Sequence, residues 1–140
     1  SKNRFNDKNF WSQYLNSAIV LDYGKSNIQK LIQDSRVVVS TYNATLLLET
    51  LSMNYPTLIF WNESQHPLNE ESQYYYDKLK KVGIFHTSPI NAAKFISQKW
   101  DNIEGWWNSK ELQDARKIFC NKYSVKSNNL SKDLKKILVQ

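Results

Sequence analysis

Apolar positions along the chain fall into short solid runs, separated by stretches in which they recur at helical spacing. Ala18-Ile19-Val20-Leu21 is the first solid run; closed by Asp22-Tyr23-Gly24, it predicts a buried strand. Ser26 followed three residues later by Gln29 has the form of a capping box, and Ile28, Leu31 and Ile32 repeat at i, i+3 and i+4, so a helix with one buried face is expected next. The β-branched run Arg36-Val37-Val38-Val39-Ser40 predicts a central parallel strand covered on both faces. A second helix is predicted from near Asn43, with Ala44, Leu47, Leu48 and Leu51 as its buried stripe. Tyr55-Pro56 stops it ahead of the strand Thr57-Leu58-Ile59-Phe60. Asn69 is placed to cap a helix to about Lys81 with Tyr75, Leu79 and Val82 on one face, and Gly83 breaks it before the strand Ile84-Phe85-His86. Ser88 as cap and Pro89 at the first helical position open a further helix to about Trp100.

Strand and helix thus alternate four times, which predicts an α/β domain: a Rossmann-like parallel sheet of about four strands, with right-handed crossovers and helices on both faces. After Asp101 the pattern is helical only. Trp106-Trp107 sit in a short turn or helix as packing anchors, Asn108 with Glu111 opens a helix with Leu112, Ala115 and Phe119 inward, and a last helix is expected over 128–138. The organisation that follows is an N-terminal arm over 1–17 anchored by Phe5, Phe10, Trp11 and Tyr14, a Rossmann-like nucleotide-binding domain over 18–100, and a helical extension of the same domain over 101–140.

Composition narrows the classes. An apolar fraction of 41% with 14% aromatic residues excludes disorder, and no apolar run approaches the length of a membrane span. The chain begins with Ser and no basic-then-apolar leader follows, so a piece cut from a longer protein is expected. The lone Cys120 cannot form an internal disulfide, which suggests a reducing, cytoplasmic setting. A net charge of +6 favours an anionic partner. Lys126, Lys132, Lys135 and Lys136 read as a solvated helix face, with peripheral contact at the inner face of a membrane as the lesser reading; basic and aromatic residues do not interleave in one patch, so nucleic acid is not expected. The three glycines, at 24, 83 and 105, exclude Walker-type and dinucleotide phosphate loops. His66, His86 and Cys120 lack metal-ligand spacing and there is no Asp-x-Asp pair, so no metal site is expected.

The chemistry is expected where a doubly wound sheet binds ligands, outside the carboxyl ends of its strands. Ser40-Thr41-Tyr42-Asn43-Ala44-Thr45 lies there, and its hydroxyls and amides can supplement backbone N–H donors around a diphosphate. Glu49, one turn beyond Thr45 and away from the leucine stripe, is placed to accept hydrogen bonds from both ribose hydroxyls. Ser, Thr and Asn ahead of a helix are also ordinary caps, and a helical Glu is also an ordinary surface residue. Trp61 and Asn62 directly follow a strand and so reach the cleft edge.

From Ser35 through Thr45, Leu48-Glu49-Thr50-Leu51 and Asn54 through Asn62, the chain resembles bacterial transferases of O-antigen and surface-polysaccharide gene clusters. The likeness continues through Leu79, Val82 to His86, Ser88-Pro89, Ala92-Ala93, Trp106-Trp107 and Gln113 to Phe119, so it covers most of the chain from Asp22 to Tyr123. More distantly, the succession of strand, small-residue turn, Glu-bearing helix and Pro-led strand is similar to the donor site of GT-B glycosyltransferases and UDP-sugar 2-epimerases. That resemblance implies half of a GT-B architecture. Ser40, Thr41, Asn43 and Thr45 would hold the diphosphate of a nucleotide-sugar donor and Glu49 its ribose, with no metal and no tightly bound cofactor. The Gly-Gly or Gly-x-Asn-Ser turn common in such enzymes is absent. The acceptor, and often the general base, would come from an N-terminal domain of the parent protein, so no catalytic residue is assigned and the isolated piece is not expected to carry out transfer. With only four strands, an uncovered sheet edge would favour a homo-oligomer. The competing reading is a non-catalytic binding or assembly module.

Overall fold

A computed structural model describes residues 19–22, 24–41 and 45–123. The element order is α1 (Ile28–Gln33), β1 (Val38–Ser40), α2 (Thr45–Ser52), β2 (Thr57–Phe60), α3 (Glu70–Lys81), β3 (Phe85–His86), α4 (Pro89–Lys99), a 3₁₀ turn (Trp100–Asn102), α5 (Ile103–Trp107) and α6 over 110–123. The chain divides into two compact units, Ser1–Leu31 and Ile32–Gln140. The N-terminal arm, Ala18, Tyr23, Tyr42, Asn43, Ala44, the helix expected over 128–138 and its lysines lie outside the described residues.

In the first unit, the strand expected over 18–21 is not formed by its described residues. Ile19 is 52% and Val20 91% exposed. A turn follows, in which Asp22 Oδ1 accepts from the Lys25 and Ser26 amides and Gly24 takes φ +79°. The cap of α1 is Asn27, whose Oδ1 accepts from the Gln29 amide at 2.9 Å, and not Ser26. Of the predicted face, only Ile32 is buried; Ile28 and Leu31 stay exposed.

In the second unit, three parallel strands lie in the order β1-β2-β3, with Ser40 opposite Ile59 and Phe60 opposite His86. β2 is the central strand, and Thr57, Leu58 and Ile59 are all buried, which is why its text is solidly apolar. The expectation that the valine run is central is corrected. Among the described residues β1 has a partner on one side only, and Val39 is 48% exposed. Three valines satisfy an edge strand as well as a central one, because β-branching serves any pleated, half-buried surface.

Helices cover both faces. Phe85 turns to Tyr76 of α3, and the next residue, His86, turns to Phe95 of α4, so these helices lie on opposite sides of β3. Leu47 and Leu51 of α2, Tyr76 and Leu79 of α3, and Leu112 and Phe119 of α6 close one core over the sheet. The deepest aromatic of α3 is Tyr76 rather than Tyr75, and its ring meets Phe119 edge-on at 5.1 Å. Asn69 caps α3 by accepting from the Ser72 amide at 2.8 Å, and Ser88 caps α4 by accepting from the Asn91 amide at 3.1 Å with Pro89 in the first turn, both as expected.

The same device joins helix to strand twice. At the end of α3, the Gly83 amide donates to Lys80 and the Ile84 amide to Leu79, with Gly83 at φ +83°. At the end of α2, the Asn54 amide donates to Leu51 and the Tyr55 amide to Thr50, with Asn54 at φ +56°. Both are Schellman turns, and each leads straight into the next strand. The tryptophan pair of α5 grips both: Trp106 Nε1 donates to the Val82 carbonyl at 2.9 Å and Trp107 Nε1 to the Asn54 carbonyl at 3.1 Å. Gln113 Nε2 donates to Asn54 Oδ1, and Arg116 donates to Gln113 Oε1 and to the Leu51 carbonyl at 2.8 Å. Trp106 and Trp107 are therefore packing anchors, as read from the sequence, and they occupy the amino-terminal edge of the sheet. Asn108 ends α5 instead of opening α6, whose first turn is tied back by the Gln113 amide donating to the Ser109 carbonyl.

Candidate functional site

The carboxyl ends of the strands are where parallel sheets bind ligands, because helix N-termini and their free N–H groups gather there. Ser40 is the last residue of β1, is buried, and pairs with Ile59, which places Trp61 just beyond it on the neighbouring strand. Thr41 follows in an exposed bend. Asn43 and Ala44 lie outside the described residues. Thr45 begins α2, and Glu49 stands one turn along it on the same face; both are exposed, opposite the buried Leu47 and Leu51. The structure thus brings Ser40, Thr41 and Trp61 to one end of the sheet, and sets Thr45 and Glu49 on the solvent side of the adjoining helix. Thr50 is fully buried and returns its hydroxyl to the Leu46 and Leu47 carbonyls.

Trp61 and Asn62 play different parts. The Trp61 ring packs 4.3 Å from Phe85 and edge-on 5.1 Å from Tyr76, and the residue is 5% exposed. Its Nε1 is enclosed and donates to nothing among the described residues; Glu63 Oε1 and the Tyr123 hydroxyl are likewise enclosed without a partner. A buried polar atom left unpaired costs about 1–3 kcal/mol, so these three atoms are a departure from ordinary packing. Asn62 is exposed and shapes the exit of β2: its Oδ1 accepts from the Ser64 amide at 3.0 Å and from the Ser64 hydroxyl at 2.7 Å. Glu63 was missed in the sequence, where nothing marks its carboxylate as enclosed.

His86 ends β3 and belongs to the same edge, since its carbonyl accepts from the Trp61 amide at 3.3 Å. Its Nε2 lies 2.8 Å from the Gly83 carbonyl, an arrangement in which Nε2 carries the hydrogen and Nδ1 is left as acceptor. Burial lowers its pKa and outweighs the Gly83 carbonyl, which acts the other way. Cys120 is buried, and burial pushes its thiol up against the opposing pull of Ser52 and Arg116.

At the opposite, amino-terminal end, an open hollow of about 540 Å³ is lined by Arg36, Tyr55, Asp101 and Glu104 among others. Arg36 lies 4.8 Å over the Trp100 ring, and the Tyr55 hydroxyl donates to the Gln33 carbonyl at 2.6 Å. Among the described residues no three His, Cys, Asp or Glu side chains gather as a metal site would require, and no helix is long and apolar enough to cross a membrane.

Comparison with curated proteins and with solved structures yields no significant match. A family model described as LIC12162 family transferase matches residues 1–138, nearly the full length, and the chain therefore belongs to that transferase family.

Proposed function

We propose that this chain is the donor-nucleotide-binding half of a glycosyltransferase of O-antigen or surface-polysaccharide synthesis, acting in the cytoplasm. Its substrate is a nucleotide-sugar, with no tightly bound cofactor, and an N-terminal acceptor domain of the parent protein completes the cleft. The observation that carries this reading is the asymmetry of the sheet. Trp106 and Trp107 take up the amino-terminal edge, while the hydroxyl-bearing residues Ser40 and Thr41 leave β1 at the carboxyl edge beside the exit of β2. Membership of a transferase family is consistent with it.

In this scheme Ser40, Thr41 and the start of α2 at Thr45 hold the diphosphate, and Glu49 holds the ribose. Closure of the acceptor domain brings an acceptor hydroxyl to the anomeric carbon as the nucleoside diphosphate leaves. Calorimetry with UDP, GDP, CDP and CMP tests this reading. At least one nucleotide binds, and Glu49→Ala weakens it by about tenfold or more, the loss expected for hydrogen bonds to a charged group. No binding of any of the four, or unchanged affinity in Glu49→Ala, refutes it.

Among the described residues β1 pairs on one side only, and with Val39 half exposed this favours a second reading as an assembly module. Under it, light scattering shows a stoichiometric self-complex while calorimetry shows no nucleotide affinity.

A further inference from the structure

Trp61 and Glu63 leave the carboxyl end of β2 two residues apart, and each has a polar atom enclosed by the chain without a partner among the described residues. The two are chemically complementary. Trp61 Nε1 is a neutral donor, held in place by a ring packed against Phe85 and Tyr76, and Glu63 Oε1 belongs to an anionic acceptor. Such a pair, set beside an aromatic wall, calls for a flat group that offers a carbonyl to the indole and N–H groups to the carboxylate. A phosphate is ruled out here, because the carboxylate repels it. A ribose offers hydroxyls but no flat face.

We propose that the turn leaving β2 reads the base of the nucleotide, and that the base is guanine: Trp61 Nε1 donates to the ring carbonyl, and the Glu63 carboxylate accepts from the ring N–H and the exocyclic amine beside it. Guanine has two adjacent N–H donors next to a carbonyl, whereas uracil has a single N–H between two carbonyls, so guanine alone of the two occupies both carboxylate oxygens. Because the two atoms are covered, the turn must move aside to admit the base. It is held by the exposed Asn62 to Ser64 hydrogen bonds, which can open to solvent at little cost. This inference rests on the reading of the carboxyl edge as a nucleotide site.

The test is calorimetry on the whole chain with GDP, IDP and UDP; IDP lacks only the exocyclic amine. GDP is expected to bind about ten- to a hundredfold more tightly than IDP or UDP. Glu63→Gln, with circular dichroism and melting confirming an unchanged fold, brings GDP and IDP to within about threefold of one another. If GDP and IDP bind alike, if UDP binds best, or if folded Glu63→Gln keeps the preference for GDP, the base assignment is overturned while the nucleotide site stands. If none of the three binds but CDP or CMP does, the base assignment alone falls; if those fail as well, both fall.

Discussion

Gly83 offers the most exacting test of how the helices are fitted to the sheet. It closes α3 at φ +83°, a conformation that an L side chain adopts only at a cost of roughly 1–2 kcal/mol. A methyl group built there meets the Phe95 ring, with Cζ at 2.2 Å and both Cε atoms at 2.7 Å. A ring tip would ordinarily swing aside. Here it is held by Trp106 at 5.4 Å and His86 at 5.0 Å, with the Lys99 ammonium over it, so overpacking adds about 1–3 kcal/mol. Gly83→Ala is therefore expected to cost about 2–5 kcal/mol, or upwards of about 6 °C in melting temperature for a domain of this size. Thermal unfolding followed by circular dichroism measures it. Gly83→Ala combined with Phe95→Leu separates the causes: the double variant loses less than the sum of the singles by about 1 kcal/mol or more if the clash is real. A melting temperature of Gly83→Ala within about 2 °C of the parent would show that α4 does not press on this turn, and would refute the packing described.

Two further outcomes follow from the same geometry. Trp107→Phe keeps an aromatic ring but removes the N–H that Asn54 receives together with part of the buried indole, so a loss of about 1–3 kcal/mol or more is expected in urea unfolding, against less than about 0.5 kcal/mol for Lys110→Ala on the exposed side of α6; equal effects would deny the grip on the α2 turn. Burial lowers His86 from its ordinary value of 6.5, so the unfolded chain takes up a proton at higher pH than the folded one. Its contribution is complete above that value and is lost as pH falls toward the lowered folded value. His86→Gln is accordingly expected to flatten the fall in melting temperature between about pH 7.5 and 5.5, and an unchanged slope would sink the assignment.

What the sequence disclosed was what is decided locally. The strand Thr57–Phe60, the caps Asn69 and Ser88, Pro89 in the first turn of α4 and Gly83 after α3 follow from spacing and turn chemistry within a few residues, and the structure places each where expected. What it hid depends on neighbours. The valine run at 37–39 is compatible with a central or an edge strand, and in the described sheet it has one partner. Asn54 in a left-handed turn looks like an ordinary loop residue until Trp107 and Gln113 are seen to converge on it from more than fifty positions away. At the candidate site, the position of Ser40 at the carboxyl end of its strand was legible from the alternation of strand and helix, whereas the enclosed Trp61 Nε1 and Glu63 Oε1 were not, since enclosure is a property of the assembled core.

The double grip of α5 also bears on the order in which the molecule can complete itself during synthesis. The turns that lead into β2 and β3 leave the ribosome well before the indoles and the Arg116 guanidinium that fasten them, across separations of 24, 53 and 65 residues. Until those residues emerge, the units of helix and strand are joined by the sheet ladders and by the Tyr55 hydroxyl on the Gln33 carbonyl, and both turns lack the ties from the C-terminal helices. The last-made helices thus act as the fastener of the sheet, and a nascent chain halted before Trp106 would present two finished joints with no bolt through them.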